Sequence, residues 1–337
     1  MKVTWLIRRI ALALTTWFVA LLISYILFEY SPVNPVMYIL MQLGLVSGSG
    51  GMTQPLIMSK QTFEYIEEWA SAFMIHGNPF LGFIRYLVNV FKGDWGWSIV
   101  YGQPVLLLIG KYLPWTLFIV TTANIISFLV GISLGQYMAY HRGSSGDQAV
   151  TQFITVKRSI PVYIYAALIV YFLGFQYHIF PTHGAYSGTP GLNLRFISSV
   201  LYHAAMPIFV LFFSSFGHWA LSMRGNIISI LGEDYVAYAE ARGLPSGWIQ
   251  KRYVGRNAML PLYTGIILAL GMSFGGAVFV ESIFSYPGVG SLLSSSLSSG
   301  DWALGMGVLL VLILAVVLGM VIADLTYSLL DPRVRQE

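Results

Sequence analysis

The chain has 337 residues, of which 56% are hydrophobic and only 9% charged, with a mean hydropathy of +0.71 and a net charge of +4. A soluble domain carries about 25% charged residues, so this composition specifies an all-α integral membrane protein and gives a nucleic-acid-binding reading no footing. The absence of cysteine removes disulfides, thiolate metal sites and cysteine nucleophiles.

A helix crossing a hydrocarbon core of about 30 Å needs about 20 apolar residues. The first such run, Ile10 to Phe28, follows Lys2, Arg8 and Arg9. It is longer than a signal-peptide core and has no clear small-x-small site after it, so it reads as an uncleaved anchor within residues 1–30. Residues 31–114 form an external segment. Ser47-Gly-Ser-Gly-Gly51 is loop-like there, whereas Phe80 to Phe91 places apolar residues at helical spacing. That piece is expected to lie along the outer membrane surface or to cap the bundle.

Five further spans make a core over residues 115–330: Trp115 to Tyr140, Ile160 to Phe180, Val200 to Met223, Met259 to Phe284 and Ala303 to Leu330. Residues 331–337 form a short tail. With the amino terminus inside, 13 of the 18 lysines and arginines fall in cytoplasmic segments, and Lys60, Arg85, Lys92, Lys111 and Arg195 remain outside. This asymmetry predicts six spans with both termini in the cytoplasm, in a multi-pass protein of the cell membrane. Trp5, Tyr30, Trp95, Trp97, Trp115, Tyr140 and Trp302 recur at the expected interfaces, where aromatic rings anchor depth.

Chemical motifs are mostly missing. No Gly-x-x-x-x-Gly-Lys-Ser/Thr phosphate loop occurs, so the chain has no ATPase site of its own. Six scattered histidines propose no metal site, and no serine sits in a Gly-x-Ser-x-Gly turn with a plausible His and acid nearby, so neither a catalytic residue nor a cofactor is assigned. Glu29, Glu281 and Asp324 stand near span ends and read as interfacial carboxylates reaching water or a backbone amide. Asn124 and Ser273 are placed to line a polar substrate path or, equally, to join helices by hydrogen bonds. The small residues Gly265, Gly271, Gly275, Gly276, Gly305, Gly307 and Gly319 permit close helix packing in the last two spans.

The stretch from Glu233 to Pro261 is the exception to all this oil. Most of it belongs to the cytoplasmic loop 224–258, and it keeps charges on both faces. Its pattern predicts a short helix carrying Tyr235, Val236 and Ala239, ended by Gly243, then a turn at Leu244-Pro245 and a second short helix from about Ser246 to Tyr253. A loop needed only for topology has no use for such punctuation.

Asp234-Tyr235-Val236, Ala239-Glu240-Ala241-Arg242-Gly243-Leu244, Arg256-Asn257-Ala258 and Leu260-Pro261 together resemble the EAA loop of ABC importer permeases. The dipeptide, oligopeptide and nickel branch matches best. Gly93-Asp94-Trp95-Gly96-Trp97-Ser98 resembles its motif before the second span, Ser159-Ile160-Pro161 its third-span opening, Phe284 to Gly290 its external turn, and Asp331 to Arg335 its carboxyl terminus. The resemblance implies the type I ABC importer permease fold. It also implies a second homologous permease subunit, two cytoplasmic ATPase subunits that bind ATP and Mg, and an extracytoplasmic substrate-binding protein. Asp234, Tyr235, Ala239, Glu240, Ala241, Arg242, Gly243 and Leu244 would then contact an ATPase. Where the general signature starts Glu-Ala-Ala, this chain has Ala237-Tyr238-Ala239, so Glu233, Asp234 and Glu240 all stand as the acidic partner. Peptides are the expected cargo, with oligosaccharides and nickel also carried in this branch. An ion-coupled transporter or a membrane scaffold is the alternative reading.

Overall fold

The computed structural model describes residues 3–29, 79–98, 100–191 and 193–330. In chain order its elements are α1 (Val3–Glu29), α2 (Pro79–Phe91), β1 (Trp97–Ser98), β2 (Gln103–Pro104), α3 (Val105–Tyr140), α4 (Ser145–Arg158) and α5 (Val162–Ile169), which continues as a π-helical stretch over Val170–Gln176. Next come α6 (Leu194–Ile230), α7 (Asp234–Ala241), α8 (Ser246–Ile249), a second π stretch over Gln250–Gly255, α9 (Arg256–Ile283), α10 (Val289–Ser299) and α11 (Trp302–Leu330). The strands pair antiparallel, Trp97 facing Pro104 and Ser98 facing Gln103.

Among the described residues α1, α3, α6 and α11 are long and apolar enough to cross a membrane, and α4 with α5 and its π stretch qualify together as one span bent by 94°. The fifth expected span coincides with α9, whose 28 residues rise about 42 Å. Several boundaries differ from the sequence reading. The second span begins at Val105 instead of Trp115 and takes Pro114 into the helix; one missing amide hydrogen bond is tolerated where neighbours re-satisfy the backbone. The third leaves α geometry at Val170 and ends at Gln176, short of Phe180. Helices α4 and α10 went unexpected because their threonines and serines break any apolar run. Of the external segment, residues 30–78 lie outside the described residues, as does the tail 331–337.

Two compact units divide the chain. The first comprises Met1–Ala13, Trp115–Pro287 and Ala315–Glu337. Its core holds separate apolar clusters: Ile119, Val120 and Ala123 of α3 meet Met206 and Val210 of α6 and Ala277 and Val280 of α9, and Phe128 and Ile132 meet Trp219, Met223 and Leu262 further along. Arg9 of α1 pairs with Asp324 of α11 at 3.0 Å, so the expected interfacial carboxylate is held by an ion pair.

What brings α3 and α6 together is a Gly-x-x-x-Gly pair that the sequence reading passed over. A Cβ on Gly131 would lie 2.5 Å from Trp219 Cβ and 2.7 Å from the Phe216 carbonyl oxygen, and one on Gly135 would fall on the Ala220 carbonyl and 2.8 Å from Met223 Cβ. Backbone cannot step aside as a side chain can, so a single methyl forces the helices apart. Gly135→Ala is expected to destabilise by about 1–3 kcal/mol, whereas Gly110→Ala on the same helix, with nothing within 4 Å, should be neutral or stabilising by about 0.5–1 kcal/mol. Thermal melting of the purified variants gives the sign of each; equal melting shifts would refute the contrast.

The second unit comprises Leu14–Pro114 and Gly288–Leu314. Helix α2 buries Phe83 and Leu87 against Leu21 of α1 and Leu310 of α11, and Phe91 lies 6.1 Å from Trp17 at mid-span. It is therefore docked along α1. Asp301, only 1% exposed, accepts from Ser98 Oγ (2.5 Å), Val100 N (3.1 Å) and Leu304 N (3.2 Å), tying the β1–β2 hairpin to the start of α11.

Candidate coupling site

Helix α6 runs to Ile230, past the Met223 at which its span was expected to end, and the chain turns through Leu231-Gly232-Glu233 into α7. Glu233 stands in extended geometry at the N-cap, and its carbonyl accepts from Val236 N (3.0 Å) and Ala237 N (3.4 Å). Asp234 occupies the first turn, where a carboxylate is favoured by the helix dipole.

The other end is closed by a Schellman motif. Leu244 N donates to the Ala239 carbonyl (3.3 Å) and Gly243 N to the Glu240 carbonyl (2.8 Å), with Gly243 at φ 73°. Only glycine takes that conformation without strain, and the apolar contact that usually accompanies it is Leu244 packing beside Ala239. Helix termination at Gly243 was thus written in the sequence. Pro245 then sits at the N-cap of α8, one residue before its expected place in the first turn.

A second separate helix was expected to stop near Tyr253. Instead α8, the π stretch and α9 form one continuous helical path from Ser246 to Ile283. The π stretch widens the helix where Tyr140 Oη of α3 donates to the Gln250 carbonyl at 3.0 Å. Insertion of one extra residue in this way re-aims the side chains without breaking the rod.

Two residues decide how α7 is held. Val236 and Ala239, three apart, are buried against Ile249, Val254 and Ala258 below the span and against Met223 and Ile227 of α6. Ala239, predicted to contact a partner, therefore faces inward and positions the helix, and Leu244 is half-buried. Asp234, Tyr235, Glu240, Ala241, Arg242 and Gly243 are exposed. Tyr235 accepts from Asn257 Nδ2 at 3.2 Å. Tyr238, 72% exposed, is the residue sequence reasoning missed. The available signal was its place three residues from both Tyr235 and Ala241, outside the Val236/Ala239 stripe. All three candidate carboxylates, Glu233, Asp234 and Glu240, are exposed.

Upstream of this helix, α6 carries a brace. Arg224 Nε and Nη2 donate to Asp147 Oδ1 (2.7 Å) and Oδ2 (2.8 Å), a bidentate pair joining the end of α6 to α4. Asp147 is 2% exposed and also accepts from Gly143 N at 3.0 Å. Nearby, Lys157 is buried with its Nζ donating to the Phe213 and Ser214 carbonyls and lying over the Phe213 and Phe216 rings, which fixes α4 to α6.

The predicted substrate-path residues lie elsewhere in the first unit. Asn124 is buried and returns Nδ2 to the Val120 carbonyl at 2.9 Å; the Ser273 and Glu29 side chains lie outside the described residues. Glu281, expected to reach water or a backbone amide, is fully buried and accepts from Thr116 Oγ1 at 2.6 Å.

A family model described as the binding-protein-dependent transport system inner membrane component matches residues 131–336, more than half of the chain. Among curated proteins, the chain is 27% identical over 332 residues to the oligopeptide transport system permease protein AppB of Bacillus subtilis, spanning 98% of both. It is 25% identical over 338 residues to the dipeptide transport system permease protein DppB of Lactococcus lactis, spanning 99% of both. Over 272 residues, 76% of this chain and 80% of the relative, it is 33% identical to the probable D,D-dipeptide transport system permease protein DdpB of Escherichia coli.

Proposed function

The chain belongs to the family of inner-membrane components of binding-protein-dependent transport systems, and from that premise we propose that it is the pore-forming permease subunit of an ATP-driven importer of peptides. Peptide cargo is favoured by the likeness to oligopeptide and dipeptide transport permeases. Six spans with both termini in the cytoplasm fit the basic-residue asymmetry, and the Arg9–Asp324 pair supports a shared side for the start of α1 and the end of α11.

The observation that carries the coupling role is α7 itself: a capped helix gripped from behind by Val236 and Ala239, with Tyr235, Tyr238, Glu240, Ala241, Arg242 and Gly243 turned outward. Seating this face in a cleft of a cytoplasmic ATPase, which holds the ATP and Mg, gives the energy source that a chain without a phosphate loop needs. Small Ala241 and Gly243 let the helix approach closely, while the tyrosines offer large, stiff contact area. Closure of the ATPase pair would push α7 as a rigid body. Because Ser246 to Ile283 is one helical path, the push reaches α9 directly and tilts the span. A second permease subunit completes the pore, and an external binding protein delivers the cargo.

Reconstitution of the permease pair with its ATPases and binding protein tests the reading. Uptake of a labelled peptide is expected to require ATP and to persist when proton and sodium gradients are collapsed. Uptake that follows a gradient while ATP is maintained would instead make the chain part of a secondary transporter. Mass spectrometry of the ligand retained by the binding protein identifies the cargo.

A further inference from the structure

The second unit contains a cavity of about 520 Å³ between the ends of α1, α2 and α11. Helix α2 is apolar apart from Arg85, Tyr86 and Asn89, and all three line this cavity. Its opposite strip, Phe80, Ile84, Val88 and Phe91, is exposed, an apolar patch of the kind that marks a membrane or protein contact. Tyr25 and Trp302, which also line the cavity, stand at the outer ends of their expected spans. Its rim is aromatic, with Trp95, Trp97 and Trp302, as at a membrane interface.

Two opposite charges face into this ring. Arg85 makes no hydrogen bond or ion pair among the described residues. Asp94 spends Oδ1 on Gly96 N at 3.1 Å, leaving Oδ2 open. A guanidinium takes a phosphate by paired hydrogen bonds, and a carboxylate amid indole faces takes an ammonium, so the walls complement a zwitterion. Leu106 and Met306 continue the wall with apolar surface for the start of an acyl chain.

We propose that this cavity binds the head group of a phosphoethanolamine lipid, its phosphate on Arg85 and its ammonium on Asp94 among the tryptophans. In the orientation proposed above the lipid belongs to the outer leaflet. The site is separate from the coupling helix and concerns the lipid surroundings of the permease, whatever its cargo.

The test uses the full chain, delipidated in mild detergent and titrated with dihexanoyl phosphatidylethanolamine, dihexanoyl phosphatidylglycerol, free phosphoethanolamine and a dipeptide, with bound copies read by native mass spectrometry. Phosphatidylethanolamine is expected to bind at least about tenfold more tightly than phosphatidylglycerol, one charge-assisted contact being worth about that factor. Arg85→Gln should weaken both lipids and Arg85→Lys largely restore them. Asp94→Asn should erase the preference and leave phosphatidylglycerol unchanged. Both positions are exposed, and unchanged melting temperatures certify the fold of each variant. Equal affinity for the two lipids, or indifference to both substitutions, overturns the proposal. Free phosphoethanolamine binding as tightly as the lipid would reassign the cavity to a soluble phosphate compound, and tighter binding of the dipeptide would reassign it to cargo. Each outcome is read as equilibrium binding without ATP or uptake, so a failure here is distinct from a failure of the importer assignment.

Discussion

Gly243→Asp is expected to leave the protein folded in the membrane while reducing ATP-driven uptake about 100-fold and leaving ATP hydrolysis by the partner subunits running. The two halves of that result have separate physical origins. Gly243 is exposed, and a Cβ there meets nothing within 4 Å, so the only folding effect comes from φ 73°. An L-residue in that conformation loses about 1–2 kcal/mol, less for aspartate, which hydrogen-bonds locally. The functional half follows from docking. A carboxylate placed where the helix enters a close-fitting cleft must be desolvated without a partner, and about 3 kcal/mol of lost docking energy corresponds to about two powers of ten. Gly243→Asn introduces the same shape and strain without the charge and should retain much more uptake. ATP-driven uptake at the native rate by Gly243→Asp would remove α7 from the coupling role.

Arg224→Ala is expected to carry the largest effect on stability. Asp147 would remain buried with its two best donors gone, and breaking one side of a buried pair destabilises by about 3–5 kcal/mol. Replacing both partners, Asp147→Ala with Arg224→Ala, should recover part of the loss, because no uncompensated charge is left inside. A variant as stable as the native protein at neutral pH would show that the pair braces nothing. Since this brace meets α6 shortly before the chain turns into α7, partial unfolding there should also lower uptake.

Legibility from the sequence followed the range of the interactions. The end of α7 was readable because a Schellman stop needs only glycine and an apolar residue within a few positions. The spans were readable because about 20 apolar residues in a row have few alternatives. Harder to read were features that join distant segments. Ser98 belonged to a recognised motif, but its partner Asp301 stands 203 residues away. Arg224 counted only as a cytoplasmic cation until Asp147, 77 residues earlier, was found on it. Gly131 and Gly135 looked like two glycines among many.

By itself, then, the sequence determined an all-α membrane protein, stretches long enough to span and the helix stop at Gly243. These depend on transfer of side chains out of water and on backbone preferences, both local properties. Only the tertiary structure decided that Ala239 faces inward, that Tyr238 is exposed and that Ser246 to Ile283 is one helical path, since each depends on which surfaces meet. The charged loop was conspicuous in the chain; that Val236 and Ala239 hold its helix against Met223 and Ile227 depended on the fold.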